Sequence, residues 1–255
     1  MTPGESIRKL IDAFEKDQFV LYVQPILPMA ALENAPFYQE VLIRYLEEEK
    51  NLVPPGTFFP LLQEHGLMPV LDRWVIRKIT SWYRKQLDPA WQWIPPRSSI
   101  NLAPESIADK GFVEFVLKHI QDNQLPHDSL SFEIPLEHVA PGSGEWERVI
   151  DKLKPAGCSF ALSGFRGDKT SFDLARRLGA DWAKLDTSLV ADLHRAQGKQ
   201  SRLKAVLALA RKFNIGTVCE RVESRETIEA LRSLNPGPDY VQGYGIEKPR
   251  PLVER

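Results

Sequence analysis

Apolar residues recur at three-and-four spacing in seven stretches of the chain. They are ESIRKLIDAFEKD, PVLDRWVIRKITSWYRKQ, FVEFVLKHIQDN, EWERVIDKLK, SFDLARRLG, SRLKAVLALARKFN and ETIEALRSLN, and each predicts an amphipathic helix. Between them lie shorter apolar or alternating runs that predict strands: FVLYVQPI, FYQEVLIRYL, SSINLA, LSFEIP, SFALSG, WAKLD, GTVCERV and YVQGYG. Turn residues punctuate the pattern at Pro126, Gly157, Gly179, Asn214-Ile215-Gly216 and Pro236-Gly237-Pro238. Strand–helix repetition through the last two-thirds of the chain predicts a parallel sheet covered by helices. About eight strands in about 250 residues favour closure into a (β/α)8 barrel over an open sheet. The start is irregular, because the first two strand-like runs flank LPMAALENAP with no helix between them. An α/β barrel with a hairpin-like first strand pair is therefore expected, as one domain over residues 1–255. WQWIPPR is its most linker-like loop. Phe58-Phe59 and the series Trp74, Trp82 and Trp91 read as packing between helices and barrel.

Composition narrows the function classes. Hydrophobic content of 43% and charged content of 26% are those of an ordinary globular chain. A net charge of −1 supplies no basic field for general nucleic-acid binding, though it leaves room for a small anion held by local cations. Cys158 and Cys219 both sit in apolar strand-like runs, so buried thiols are expected rather than a disulfide or a metal pair. No apolar run reaches the roughly 20 residues of a membrane span, and MTPGESIRKLIDAFEKDQ has no secretory apolar core. These features together predict a cytoplasmic protein, or the cytoplasmic part of a longer one. No phosphate-binding glycine loop is present, and the five histidines lack metal-ligand spacing.

Functional residues of such barrels gather at the carboxyl ends of the strands. The polar residues near those ends are Gln24, Glu40 with Arg44, Asn101, Glu133, Lys184 with Asp186, Glu220 with Glu223, and Gln242. A lone carboxylate at a strand end is as often a cap or a salt-bridge partner. A rim of several carboxylates, an amide and a lysine has the character of a metal-and-phosphate site, since hard divalent cations take such oxygens.

The runs YVQPI, YQEVLIRY, PPGTFFPLLQEHGLMPVLDRWVI, SINLA, FEIPLE, WAKLD, CERVES and VQGYGIEKP follow, in order and spacing, the pattern of the EAL-domain family. The chain resembles that family from about residue 6 to about residue 252. The resemblance implies a modified TIM barrel and cyclic di-GMP phosphodiesterase ancestry, with Mg²⁺ or Mn²⁺ as the metal of any surviving activity. It implies that Glu40, in EVL where the family writes EAL, is a metal ligand together with Asn101 and Glu133. Lys184 would orient the attacking water or the phosphate, and Glu220 would be the general base. Gln24, Arg44 and Gln242 would hold the dinucleotide, with Glu40 and Arg221 at the same ligand surface. An arginine suits a phosphate fork, and a glutamine suits a base edge.

The pattern breaks at residues 158–168, CSFALSGFRGD. Where the family has two adjacent metal-binding aspartates, this chain has Ser163 and Gly164. A hydroxyl is a poor substitute for a carboxylate on Mg²⁺, and glycine offers no side chain. Asp168, a few residues on, reads as a loop carboxylate rather than a replacement. Arg221 stands where the family has a glycine. Leu136 takes the place of a second acidic residue, with Glu137 following as either a displaced stand-in or a solvated charge. The loop RGDKTS departs from the family's dimer-contact loop. Three readings follow, in this order. The first is a catalytically silent cyclic di-GMP receptor that needs no cofactor. The second is a protein-interaction module that binds no nucleotide, its rim carboxylates satisfied by Lys184 and Arg221. The third is a working phosphodiesterase with a rearranged metal site. The resemblance further implies other signalling domains or proteins as partners, pairing into a homodimer, and a place as the C-terminal module of a longer regulator.

Overall fold

The computed structural model describes residues 3–30, 38–46, 52–86, 96–139 and 144–253. Trp91, most of WQWIPPR and the tip of LPMAALENAP lie outside these residues. The first two strands, β1 (Phe19–Pro28) and β2 (Tyr38–Leu46), pair antiparallel over eight positions, from Phe19 opposite Tyr45 to Ile26 opposite Tyr38. This is the hairpin-like start that the sequence predicts. Beyond it, β2 pairs in parallel with β4 (Arg97–Asn101), which is followed by β5 (Leu130–Pro135), β6 (Ser159–Phe165), β7 (Trp182–Leu185), β8 (Gly216–Cys219) and β9 (Tyr240–Val241). The ring closes where β9 meets β1 antiparallel. Two two-residue strands add to the hairpin, β3 (Leu52–Val53) at the end of β2 and β10 (Arg250–Pro251) beside Tyr22 and Val23 of β1.

Strand alternation separates an outer shell from an inner one. On β5, Leu130, Phe132 and Ile134 belong to the large apolar cluster between barrel and helices, whereas Ser131 and Glu133 face inward. The covering helices include α3 (Met68–Gln86), α5 (Phe112–Asp122), α6 (Glu145–Leu153), α7 (Lys169–Leu178), α9 (Gln197–Lys212) and α10 (Arg225–Ser233). Each turns a stripe of buried aliphatic or aromatic residues to the sheet, as the three-and-four spacing predicts. Phe58, Trp74 and Trp82 are packing residues of this shell.

The barrel floor is plugged by aromatic rings. Tyr38, Trp182 and Tyr240 lie 5.4–6.1 Å apart centroid to centroid, with Ile26 and Val218 against them. Tyr38 donates its hydroxyl to Ser131 at 3.1 Å, and the small inward residues Ser99, Ser131 and Ala161 leave room for the rings. Above this plug the interior becomes polar, and that change of layer defines the site. Both cysteines are buried and free, with burial pushing the Cys158 thiol up to about 12. Among the described residues no helix is long and apolar enough to cross a membrane.

Candidate functional site

Lys184, on β7, points into the barrel just above the aromatic plug and is fully buried. Desolvating an ammonium costs several kcal/mol, so it persists only where anions surround it. Three do. Lys184 Nζ donates to Glu133 Oε2 at 2.6 Å and to Glu40 Oε2 at 2.9 Å, and pairs with Glu220 Oε1 at 2.9 Å. These carboxylates come from β5, from β2 and from the residue directly after β8, so ring closure is what brings them together. Asn101 at the end of β4 donates to Glu40 Oε1 at 2.9 Å. Gln242, just after β9, donates to Glu40 Oε2 at 2.7 Å and to Gln24 Oε1 at 3.2 Å. Gln24 in turn donates to the Glu247 carbonyl at 3.0 Å. Because β1 runs opposite to its neighbours, its rim residue is Gln24 in mid-strand, directly across from Glu40.

The protonation states follow from these partners. Burial pulls the Lys184 ammonium down, but Glu133, Glu40 and Glu220 outweigh it and hold the ammonium well above the ordinary lysine range. Burial pushes Glu40 up. Lys184 and the hydrogen bonds from Gln242 and Asn101 more than reverse this, leaving it below the usual carboxylate range. The Glu133 carboxylate has Lys184 as its one hydrogen-bond partner among the described residues. Burial, with repulsion from Glu40 and Glu220, takes it up to about 7 against the pull of Lys184. One ammonium is thus shared unequally among three acids.

Ser163 and Gly164 lie near the end of β6, ahead of its last residue Phe165, with Ser163 opposite Pro135, two residues beyond Glu133 on β5. Ser163 is half-buried and Gly164 exposed, and a side chain added at Gly164 would meet open space. The pair borders a cleft of about 500 Å³ whose polar lining includes Glu137, Arg166 and Asp186. Asp168 is the N-cap of α7. It accepts from the Ser171 backbone N–H at 2.8 Å and from the Ser171 hydroxyl at 2.7 Å, which commits its carboxylate to the helix and pulls its pKa down. Asp186 likewise caps the short helix α8 (Thr187–Val190) through Ser188. Glu137 is a solvated charge, its side chain 80% exposed. Glu223 is exposed as well.

The donor set does not suit a pair of divalent ions. The two positions where the family resemblance implies metal-binding aspartates, Ser163 and Gly164, offer one hydroxyl and no side chain. The three carboxylates that remain already converge on an ammonium, and no cluster of histidine, cysteine, aspartate and glutamate among the described residues has the geometry of a metal site. Arg221 does not join the carboxylates. It is exposed and makes no hydrogen bond or ion pair among the described residues, so Lys184 alone neutralises the rim and the shared role expected for Arg221 is corrected. Arg44 lies where β2 runs on past its pairing with β4. Its guanidinium donates to the Ile43 carbonyl at 2.8 Å and sits 5.5 Å from the Tyr22 ring centroid, forming a wall above the rim.

Sequence reasoning missed the residue that braces this arrangement. Asp72 of α3 is buried and accepts from the Ala103 backbone N–H at 2.9 Å and the Ser106 hydroxyl at 2.6 Å. It thereby pins the turn that follows Asn101, and burial raises its pKa to about 6. A charged residue inside the buried face of a helix pattern was the available signal.

An eight-membered barrel with a hairpin start and an acid–amide–lysine cluster at one mouth is a modified TIM barrel with its polar residues gathered where such barrels carry their sites. The EAL domain model matches residues 7–249, and the chain belongs to the EAL domain family. The chain is 31% identical over 247 residues to the cyclic di-GMP phosphodiesterase PdeB of Shewanella oneidensis, covering 96% of this chain and 28% of that protein. It is 29% identical over 250 residues to PdeF of Escherichia coli, covering 97% and 32%. The chain therefore spans about three-tenths of the length of these relatives. The EAL domain of FimX from Pseudomonas aeruginosa, solved bound to cyclic di-GMP, superposes with a TM-score of 0.85 at 26% identity, covering 96% of each chain. The MucR phosphodiesterase, solved as a cyclic di-GMP complex, gives 0.84 at 25% identity, covering 97% of this chain and 98% of that one.

Proposed function

We propose that this barrel is a receptor for cyclic di-GMP that binds the dinucleotide without hydrolysing it. One juxtaposition carries the reading: the rim of Glu40, Asn101, Glu133, Lys184, Glu220 and Gln242 forms one bonded network, while β6 carries Ser163 and Gly164 near its end. In-line displacement at a phosphodiester by two metal ions needs carboxylates to hold the ions, and the attacking hydroxide must form on them. With that donor set incomplete, Lys184 and Glu220 retain positions suited to catalysis but lack the partner that would activate water.

Binding requires less. Gln24 and Gln242 offer amides suited to a base edge, and Arg44 offers a fork suited to a phosphate. Relatives and structural neighbours that act on or bind cyclic di-GMP support the ligand. The greater length of the two curated relatives supports a role as one module among other signalling segments.

Titration calorimetry with cyclic di-GMP, with Mg²⁺ and with a chelator, tests the binding half. The expected result is saturable heat in both conditions. No heat at high micromolar ligand would favour an interaction module instead. Chromatography after incubation with Mg²⁺ or Mn²⁺ tests the other half, and linear dinucleotide in quantity would establish a phosphodiesterase.

A further inference from the structure

Arg221 combines three properties that no other described residue shares. It directly follows Glu220, whose carboxylate is held by Lys184 at 2.9 Å, so its backbone is anchored at the rim. Its φ of 52° lies in the left-handed region that side chains other than glycine rarely adopt. Its exposed guanidinium has no hydrogen-bond or ion-pair partner among the described residues. The other non-glycine residues with positive φ are Asp17, Gln124, Asp128, Asp192 and Asn214, mostly the types whose short polar side chains tolerate that region. Arg221 is the one cation in this set.

The surrounding backbone imposes that conformation. Val222 donates its N–H to the Gln242 carbonyl at 2.9 Å, and Gly245 donates to the Val222 carbonyl at 2.9 Å. A side chain on Gly243 would lie 2.2 Å from the Val222 oxygen, so the segment after β9 is pressed flat against residues 222–223. Arg221 cannot relax without parting these two segments. Strained backbone of this kind clusters at ligand clamps, which singles out Arg221 for a role at the mouth of the site.

Charge shows what the use is. Three rim carboxylates face one buried lysine, a formal charge of −2, and cyclic di-GMP brings two further negative charges in its phosphodiesters. Where no divalent pair offsets this repulsion, cations of the chain must do so. Arg44 supplies one, and Arg221, fixed beside Glu220, supplies the other.

We propose that Arg221 is a phosphate-binding residue of the cyclic dinucleotide site, whose charge stands in for part of the metal charge. This inference rests on the receptor reading. It is tested by calorimetric titration of cyclic di-GMP at two salt concentrations into wild type, Arg221→Gly, Arg221→Asn and Arg221→Lys, each checked by thermal unfolding. Glycine and asparagine both accept a positive φ, so both variants are expected to fold with a melting temperature at or above that of wild type. Their affinity should fall about tenfold or more, the scale of one charged hydrogen bond, with a shallower salt dependence. Lysine should recover part of the loss, keeping charge without the planar fork. Unchanged or tighter binding by Arg221→Gly would overturn the proposal, since the side chain would then be neutral or obstructive. Wild type that binds nothing removes the receptor reading and this inference together, whereas wild type that binds as its glycine variant does removes only this inference.

Discussion

Lys184→Met tests whether one ammonium holds the rim together. Methionine matches the length of the lysine stem, so the volume inside the barrel is nearly kept while the charge goes. The substitution removes the contacts to Glu40, Glu133 and Glu220 at 2.6–2.9 Å and leaves three acids facing one another in a largely buried space. Breaking a buried ion pair from one side costs about 3–5 kcal/mol, because the charge left behind has neither water nor partner. Protonation offers the acids relief, which makes the deficit depend on pH. Lys184 has a folded pKa raised above its unfolded value, so its stabilisation is complete at every pH below the ordinary lysine range and is lost only as pH rises through the raised value. Any change in the deficit between pH 5 and pH 8 therefore comes from the carboxyls. Glu133 already sits at about 7 with the lysine present, and without the pull of Lys184 both Glu133 and Glu40 move upward. A carboxyl raised in this way favours the fold below its unfolded pKa, and that advantage is lost as pH rises through the folded value. Urea unfolding followed by circular dichroism should show a deficit of about 3–5 kcal/mol at pH 8 that shrinks to about half at pH 5. A deficit below about 1 kcal/mol at pH 8, or one equal at the two pH values, would refute the account of the rim as an acid cluster held by a single cation.

Three further outcomes follow from other contacts. Ser163→Asp with Gly164→Asp should lower stability in chelator, restore it with Mg²⁺ or Mn²⁺, and bring measurable hydrolysis of cyclic di-GMP; a double variant whose melting temperature ignores metal would show that the rest of the rim cannot accept one. Asp72 carries a folded pKa of about 6 against 3.8, so its protonated form favours the fold below the unfolded value and that advantage, about 3 kcal/mol, is lost as pH rises through 6. Asp72→Asn should accordingly gain stability relative to wild type between pH 4 and 6 in urea melts, and parallel curves would contradict the burial of that charge. Asp168→Ala should cost about 1 kcal/mol as a lost helix cap and leave cyclic di-GMP affinity unchanged, whereas a loss of affinity would return Asp168 to the site.

What the sequence made legible follows physical periodicity. Helices α3, α5, α6, α7, α9 and α10 bury one stripe each and were readable from it. The strands were readable from short apolar runs ending in polar residues. Helix α2 (Pro55–Glu64) was not, because Pro54, Pro55, Gly56 and Pro60 read as a loop. In the fold Pro55 occupies the first helical turn, where its missing N–H costs nothing, and tertiary packing of Phe58 and Leu62 carries the helix past Pro60. The two-residue strands β3 and β10 leave no periodic signal at all. At the site, the residue types at strand ends were readable, but their pairing was not. That Lys184 rather than Arg221 neutralises the acids depends on alternation placing one side chain inside the barrel and on a left-handed backbone placing the other at its mouth. Asp72 left a signal, a charge on the buried face of a helix, but its partners Ala103 and Ser106 were not readable, because they meet it only when the segment after β4 packs on α3.

The network also explains why the loss at Ser163 and Gly164 leaves a stable rim. Glu40, Glu133 and Glu220 against Lys184 sum to −2, and the upward shift of Glu133 to about 7 brings the cluster nearer to −1 at neutral pH. Two further aspartates would bring it to −4 before any proton is taken up, a burden that divalent ions offset and a single ammonium does not. A rim that held the full acidic set would depend on metal for its order. With serine and glycine in those positions the remaining acids are within the reach of one lysine, and Asn101 and Gln242 turn the amide donors that would otherwise seek water toward Glu40. The two substitutions therefore act in one direction. In the receptor proposed above they leave no means of activating water, together with an interior ordered enough to present Gln24, Gln242 and the two arginines to a ligand in the absence of any ion.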